Sequence, residues 1–395
     1  MKPGASASQG HASGLSKLLS PRTPHAFLTD SWETNAVHVA RDDRDHYADL
    51  LSIQIVEDLV AGDKIPARNL LLIKDSQPYP DLYIRDGNRS LLPRIRRAWT
   101  QGYTVAINSL HLRHRPVLDL THEIEGELGY RAMANMYLTP GGAQGFRLHF
   151  DNHHAMLLQI SGSKRWTVYP PVVALPLIEQ HREVKPEELG EPILDVEVKA
   201  GDTLYVPPGF PHSGTSTDEA SLHVTVGIYP TTWGEFIKAS IDALQIDDPR
   251  LRSAVPAGLL AGARLSGAEE FADLAAMIAR DWNFDDALKR SKASFEAQRT
   301  TAWDNLFGAD AAIPELTSLT VVRTRPGGTY RTWMADDHAV LDMDGIQMIA
   351  PEPASAAFEF IAGSRSFAVG ALPGLDGDSQ IVLANRLIRE GLLMA

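Results

Sequence analysis

Residues 103–230 alternate short β-rich runs with turn residues, and this pattern constrains the fold more than any other feature of the chain. The runs are YTVAINSL, RAMANMYLT, HAMLLQI, KRWTVYP, DTLYVPP and SLHVTVGIY, separated by Gly, Pro, Asp and Ser. Many short strands divided by turn signals are typical of a β-sandwich or barrel. We therefore predict a β-barrel with helices before it and little helix inside it.

The segments around the barrel predict further parts. Residues 1–24 are rich in Ser, Gly and Pro and predict a disordered leader, and helices are expected near residues 46–59 and 89–102. Apolar residues at helical spacing over residues 232–302 predict about three helices.

The last part of the chain combines strands, a hairpin and helices. Strands are expected on both sides of a Pro-Gly-Gly turn at residues 326–328, and a hairpin through Asp344-Gly345. Helices are expected in ASAAFEFIAG and DSQIVLANRLIREGLL. Short strands and helices in this order favour a winged-helix-like module.

Composition excludes several kinds of site. None of the 395 residues is cysteine, so a metal must be held by His, Asp or Glu, which suits iron, manganese or zinc. The net charge of −13 disfavours nucleic acid and anionic membranes. It would either attract a basic polypeptide or serve only to keep the protein soluble. No run of about 18 apolar residues predicts a membrane span, and the N-terminus lacks a secretory signal. These features favour a cytoplasmic protein.

The spacing of His149 and Asp151 predicts a metal site. On a strand, alternate side chains share a face, so both can face one metal while Phe150 points away. His212 follows a Pro-rich turn in GDTLYVPPGFPHSG and supplies a third ligand. Two histidines and one carboxylate form the facial triad typical of non-haem iron(II) oxygenases. The alternative is a pair of surface polar residues on an edge strand.

Other polar residues lie close to this pattern in the sequence. Lys164 begins the strand KRWTVYP after a Ser-Gly-Ser turn, which predicts a hairpin with the strand of His149 and Asp151. A fixed cation there would bind the distal carboxylate of a 2-oxo diacid, and Asn135 could donate a second hydrogen bond. The roles of His153, His154 and His223 stay open between the rim or wall of a pocket, a polar strand end and the core.

One segment resembles the JmjC-type, cupin-like oxygenases of the ribosomal-oxygenase group. Its sequence is ANMYLTPGGAQGFRLHFDNHHAMLLQISGSKRWTVYPP. The matching residues are Asn135, Thr139, Pro140, Gln144, Gly145, Phe146, His149, Asp151, Leu158, Gln159, Gly162, Lys164 and Trp166. The resemblance implies Fe(II) bound by His149, Asp151 and His212. It also implies 2-oxoglutarate bound by Lys164 and Asn135, with Thr225 as a further candidate.

The same resemblance implies a fold and an activity. The fold is α+β, with a double-stranded β-helix (jelly-roll) catalytic domain at 25–231, a helical dimerisation region at 232–305 and a winged-helix-like domain at 306–395. The activity is hydroxylation of a side chain in a polypeptide, coupled to decarboxylation of 2-oxoglutarate to succinate and CO2. Residues 315–395 hold six arginines, no lysine and ten acidic residues, which disfavours phosphate binding by that domain.

Alternatives of other classes remain at this point. One is a metal-binding, cupin-like protein that binds peptides without oxidising them, and another is a cupin-type metal enzyme without 2-oxoglutarate, such as an isomerase. The residues after Asp151 (NHHAM at 152–156) depart from the acidic and apolar series usual in the family. The substrate therefore stays open between a ribosomal protein and a ribosomally made peptide.

Overall fold

The computed structural model describes residues 14–62, 65–80, 91–262, 267–299, 315–325 and 327–394. The chain divides into two units, one ending at Tyr229 and the other beginning at Pro230. Within the described ranges, no helix has the length and apolar character needed to cross a membrane.

The first unit contains two antiparallel sheets and the helices that cover one of them. Its helices are α1 (Gly14–Leu19), α2 (Pro24–Asp30), α3 (Ile53–Ala61), α4 (Leu92–Thr100) and α5 (Arg115–Leu128). Short 3₁₀ helices lie at Ala67–Asn69, Leu110–Leu112, Ile178–Gln180 and Pro186–Glu188. Its strands are β1 (Val37–Val39), β2 (Leu70–Lys74), β3 (Gln77–Pro78), β4 (Thr104–Ile107), β5 (Arg131–Thr139), β6 (His154–Ser161), β7 (Ser163–Val168), β8 (Leu194–Lys199), β9 (Thr203–Val206), β10 (His212–Ser216) and β11 (Ser221–Tyr229).

The large sheet has eight strands in the order β1-β9-β6-β11-β5-β4-β2-β3, and the small sheet has three in the order β10-β7-β8. The alternation of apolar side chains on β6 shows how the sequence places the two sheets. Met156, Leu158 and Ile160 pack into the main core together with the N-terminal helices, whereas Ala155 and Leu157 pack toward the small sheet. One face of the large sheet is thus covered by helices, and the other lines the interior between the sheets.

A tight turn at Gly162 carries the chain from one sheet to the other. Gly162 has φ 65°, and a Cβ there would lie 2.1 Å from the carbonyl oxygen of Ala220, so both the backbone conformation and the space require glycine. The predicted hairpin between the Lys164 strand and the strand before it is therefore wrong. Strand β7 pairs with β10 and β8, and Lys164 lies opposite Ser216.

Other expectations need correction. The predicted leader is wrong for residues 14–24, because Leu15, Leu18 and Leu19 of α1 are buried at helical spacing; residues 1–13 lie outside the described part. The helix expected at 46–59 begins only at Ile53. The expectation of little helix inside the barrel region is wrong as well, since α5 interrupts it.

Two strands of the small sheet, β8 and β10, were not predicted. Strand β10 reads HSGTS, and its small polar residues carry little β propensity of their own. Pairing with β7 over residues 212–216 fixes it as a strand.

The second unit contains a helical segment and a mixed C-terminal segment. Its helices are α6 (Trp233–Asp247), α7 (Ala268–Asp281), α8 (Phe284–Gln298), α9 (Ser355–Ala362) and α10 (Gly377–Arg389), with 3₁₀ helices at Pro249–Arg252, Glu352–Ala354 and Val369–Ala371. Its strands are β12 (Val321–Thr324), β13 (Tyr330–Ala335), β14 (His338–Met343), β15 (Ile346–Pro351), β16 (Ser366–Ala368) and β17 (Leu393–Met394).

The C-terminal hairpin turns where the sequence predicted, with Asp344 at φ 53° and Gly345 at φ 91° between β14 and β15. Strands lie on both sides of the predicted Pro-Gly-Gly turn, of which Pro326 lies outside the described residues, but they join different sheets. Strand β12 pairs with β16 and β17, while β13 pairs with β14. The predicted boundary at 305/306 lies outside the described residues.

Candidate metal centre

Three side chains in the first unit converge as a metal site would require. His149, Asp151 and His212 each offer a ligand atom, and these atoms all lie within 4.8 Å of one another. The Nε2 of His212 is 3.7 Å from Oδ2 of Asp151, and the two imidazole centroids are 4.5 Å apart. The structure therefore brings together the three residues predicted from the sequence.

The backbone that holds them differs from the prediction in one respect. His149 and Asp151 precede β6 and lie on an extended loop rather than on a regular strand. His149 forms an isolated antiparallel bridge with His212, in which each amide donates to the other's carbonyl at 3.2 and 2.8 Å. The amide of Gly209 donates to the carbonyl of Asp151 at 2.9 Å. These bonds fix the two parts of the site against each other.

Both histidines are oriented by hydrogen bonds to their own chains. The Nδ1 atom of His149 lies 2.8 Å from the carbonyl of Arg147, and that of His212 lies 3.0 Å from the carbonyl of Phe210. A carbonyl accepts only, so Nδ1 carries the hydrogen in each ring and Nε2 keeps its lone pair. The two Nε2 atoms are thereby prepared as ligands.

The protonation states of the site suit a cation. Burial, with a further contribution from His149, lowers the pKa of His212 to about 4, so its imidazole is neutral at physiological pH. Burial opposes ionisation of Asp151, but the neighbouring histidines, His212 foremost, outweigh it and lower its pKa. The site thus offers the neutral imidazole of His212 and the carboxylate of Asp151 to a metal, beside the imidazole of His149.

A cavity of about 380 Å³ extends from these ligands between the two sheets. Trp166 forms part of its wall, with its ring 6.0 Å from that of His212. The absence of a side chain at Gly214 gives this indole its place, since a Cβ there would lie 2.7 Å from the ring. The cavity is large enough for a small organic ligand beside a metal.

Lys164 lies on the cavity wall, on β7. It is four residues along that strand from Val168, the register partner of His212. It is 4% exposed, and its Nζ lies 5.6 Å from the centre of the Trp166 ring. Within the described part of the chain, no carboxylate forms an ion pair with Lys164, and burial lowers its pKa to about 7. An unpaired buried ammonium group is costly, so this arrangement favours an anionic ligand in the cavity.

Asn135 and Thr225 also line the cavity, from adjacent strands of the large sheet, where they are register partners. The Oδ1 atom of Asn135 accepts a hydrogen bond from the amide of Ser109 at 2.9 Å, and its side chain also hydrogen-bonds with that of Tyr137. The amide is therefore held in a fixed orientation at the wall. Its position is compatible with the predicted second hydrogen bond to a ligand.

The histidines whose roles were open lie in different surroundings. His153 lines the cavity beside Tyr229, with ring centroids 4.7 Å apart, and His223 lines it from β11. His154 packs away from the cavity, stacked on Trp32 at 3.7 Å and hydrogen-bonded to the hydroxyl of Tyr205 at 2.8 Å. Burial lowers the pKa of His154 to about 3, so it is a neutral core residue.

Sequence reasoning missed several residues of the wall. Tyr137 lies two residues after Asn135, and Tyr229 lies two after Gly227, so the period of two could have found both. His181 also lines the cavity, but it comes from the loop between β7 and β8, which has no periodic pattern. Only the folded position of that loop reveals it.

Comparison with known proteins gives a match to the same part of the chain. Residues 111–236 match the family model described as the JmjC domain. The resemblance stated from the sequence is thus confirmed, and the matched segment includes the triad and the other predicted site residues.

Relatives of known name extend this match. The chain is 29% identical over 254 residues to ribosomal oxygenase 1 of Danio rerio and 32% identical over 231 residues to that of Gallus gallus. It is 29% identical over 216 residues to the bifunctional lysine-specific demethylase and histidyl-hydroxylase NO66 of Drosophila persimilis. These matches cover 60%, 57% and 54% of this chain but only 45%, 38% and 31% of the relatives.

Solved structures of YcfD, a ribosomal oxygenase from Escherichia coli, share the fold. The structure of YcfD in complex with cobalt and 2-oxoglutarate has a TM-score of 0.53 at 18% identity, covering 94% of this chain and 97% of that one. The structure with cobalt and succinic acid has a TM-score of 0.54. The chain therefore shares the fold of these structures.

Proposed function

We propose that the chain is an Fe(II)- and 2-oxoglutarate-dependent oxygenase that hydroxylates a side chain of a protein or peptide. The observation that carries this proposal is the convergence of His149, Asp151 and His212 at one end of a cavity that also contains the unpaired Lys164. A metal binder without 2-oxoglutarate would have no use for a buried cation in that place. The names of the relatives agree with this function.

The residues of the chain would divide the work as follows. His149, Asp151 and His212 would hold Fe(II) on one face, which leaves positions open for 2-oxoglutarate and oxygen. Lys164, with Asn135 beside it, would bind the distal carboxylate. When bound, the iron and 2-oxoglutarate would use O2 to form one hydroxyl group on the substrate, with succinate and CO2 as products. The protein orients these groups and excludes water.

The loop at residues 169–193 supports a polypeptide as the substrate. It contributes His181 to the cavity and is held against the turn before His212 by two bonds, from the amide of Tyr169 to Pro211 (2.9 Å) and from that of Val172 to Gly209 (3.1 Å). The loop exposes apolar side chains beside several acidic ones. The exposed apolar residues are Leu175, Leu177 and Ile178, and the exposed acidic ones are Glu179, Glu183, Glu187, Glu188 and Glu191, against two exposed basic residues, Arg182 and Lys185. Such a surface suits a basic, partly apolar polypeptide.

Turnover tests the proposal directly. Purified protein with Fe(II), ascorbate and 2-oxoglutarate is expected to release succinate in proportion to a 16-Da gain on its substrate. Candidate peptides from the native host, compared with and without the gene by mass spectrometry, would identify that substrate. Failure of the protein to bind 2-oxoglutarate in calorimetry would instead favour the non-oxidising, cupin-like peptide-binding protein.

We also propose that residues 25–231 are the catalytic domain, that 232–305 form a dimerisation region and that 306–395 form a winged-helix-like domain. Exposed Trp233, Phe271 and Phe284 in the helical segment support a homodimer, because large apolar side chains there lack cover in one chain. Light scattering is expected to give twice the mass of the chain, and a monomer at micromolar concentration would contradict this.

A solved structure with the β14–β15 hairpin packed away from α9 and α10 would contradict the winged-helix-like domain.

The remaining predictions concern partners and location. A substrate polypeptide is the partner we propose, and the acidic C-terminal segment disfavours nucleic acid. The cytoplasmic location stays a prediction, which fractionation of the native host would test.

A further inference from the structure

A two-residue turn beside the cavity contains a residue that its backbone conformation does not favour. Asp75 and Ser76 join β2 to β3, with φ angles of 50° and 61°. Two-residue turns with both angles positive usually contain Asn-Gly, Asp-Gly or Gly-Gly, because glycine adopts such angles without strain. Asp75 fits this pattern, whereas Ser76 occupies the place of the glycine. A strained residue that persists in this way indicates a function for its side chain.

The turn is hydrogen-bonded to the segment that precedes the metal ligands. The amide of Asp75 donates to the carbonyl of Gln144 at 3.1 Å, and that of Ser76 donates to the carbonyl of Gly145 at 2.8 Å. The Ser76 side chain adds a third bond, because its Oγ accepts from the amide of Arg147 at 2.8 Å. The first two bonds use only the backbone of the turn. The third requires the hydroxyl group, which glycine lacks.

Arg147 connects this turn to the first metal ligand. Its amide donates to Ser76, and its carbonyl accepts from the Nδ1–H of His149 at 2.8 Å. The second of these bonds orients the imidazole and leaves Nε2 as the ligand atom. Ser76 is exposed to solvent, so water could satisfy the Arg147 amide in its absence. Water would not hold that amide in a fixed place, and the orientation of His149 would become less well defined.

We propose that Ser76 is a positioning residue for the metal, acting on His149 through Arg147. The inference rests on the proposed function and extends it to a hairpin 71 residues before Arg147 in the chain. Hydrogen bonds behind a metal ligand fix its orientation, so the loss of one weakens metal binding in a protein that is still folded. The competing explanation is that Ser76 only completes the turn.

A pair of glycine variants separates these explanations. Ser76→Gly relieves the strained backbone and removes the acceptor for the Arg147 amide. Asp75→Gly relieves the neighbouring residue and keeps all three hydrogen bonds, so it is the matched control. The metal-free, full-length proteins are titrated with Co²⁺, whose visible absorption bands measure both its affinity and the geometry of its ligands. Thermal unfolding of the metal-free proteins measures their stability.

Ser76→Gly is expected to bind Co²⁺ about 3- to 10-fold more weakly than the wild-type protein, as for the loss of one hydrogen bond, with altered absorption bands. Its unfolding temperature should stay close to that of Asp75→Gly, which should keep wild-type affinity and absorption. Three results would overturn the inference and leave the proposed function intact: wild-type Co²⁺ binding by Ser76→Gly, an equal loss in both variants, or a loss that accompanies a large fall in the unfolding temperature of Ser76→Gly. If the wild-type protein did not bind Co²⁺, the proposed function would fail first, and this inference with it.

Discussion

Replacement of Asp151 by alanine is expected to remove both the metal and the activity. The carboxylate supplies the negative charge of the triad, and without it only two imidazoles remain to hold a dication. Loss of residues that merely support metal ligands typically costs 10- to 100-fold in metal affinity, so loss of a ligand should cost more than about 100-fold. Metal content after reconstitution with Fe(II), and succinate release, measure the two effects. His149→Ala should behave in the same way.

A surface carboxylate provides the control for that experiment. Asp195 on β8 pairs with Arg165 at 2.7 Å in an exposed position, and such ion pairs contribute little. Asp195→Ala should therefore keep the wild-type metal content and succinate release. An Asp151→Ala protein that retained stoichiometric metal and full turnover would show that the triad has been assigned wrongly.

Replacement of Lys164 by alanine should raise the requirement for 2-oxoglutarate strongly. Loss of a buried, charge-assisted hydrogen bond weakens binding by about 10- to 100-fold. The apparent KM should rise accordingly, while kcat at saturating 2-oxoglutarate should change less, because the missing contact is distant from the metal. An unchanged KM would exclude the proposed role of Lys164.

The same residue should make 2-oxoglutarate binding depend on pH. Burial lowers the pKa of Lys164 to about 7, so the free protein loses this charge as the pH rises through 7. A bound carboxylate favours the ammonium form, so binding above pH 7 must take up a proton and weakens by up to about tenfold per pH unit. Calorimetry between pH 7 and 9 measures this. Lys164→Arg keeps its charge throughout and should bind with little dependence on pH.

Local spacing allowed the sequence to predict which three side chains converge at the candidate metal site. The two-residue separation of His149 and Asp151 and the stiff turn before His212 are short-range patterns. The three side chains converge as these patterns predicted, even though His149 and Asp151 lie on a loop. Asn135, predicted as a hydrogen-bond donor, and Thr225, which the resemblance implied, line the cavity wall from β5 and β11.

Long-range pairing could not be predicted from such patterns. Lys164 joins the small sheet because β7 pairs with β10, a strand about 50 residues later along the chain. The sequence of β10, HSGTS, does not predict a strand. His181 reaches the cavity only because its loop is hydrogen-bonded to the turn before His212. Helix α5 did carry a signal, with Val117, Leu120 and Ile124 at helical spacing, but the strand-rich context on both sides concealed it.

The reciprocal hydrogen bonds between His149 and His212 have a consequence for how the protein acquires its metal. Since backbone pairing and the Nδ1 bonds position the ligands, we expect the chain to fold without the ion and to bind it afterwards. Two imidazoles and a carboxylate bind zinc or copper more tightly than iron(II) on intrinsic affinity alone. Cellular supply, rather than the shape of the site, would then decide which ion the protein carries, and material isolated in air should need stripping and reloading with iron before it works.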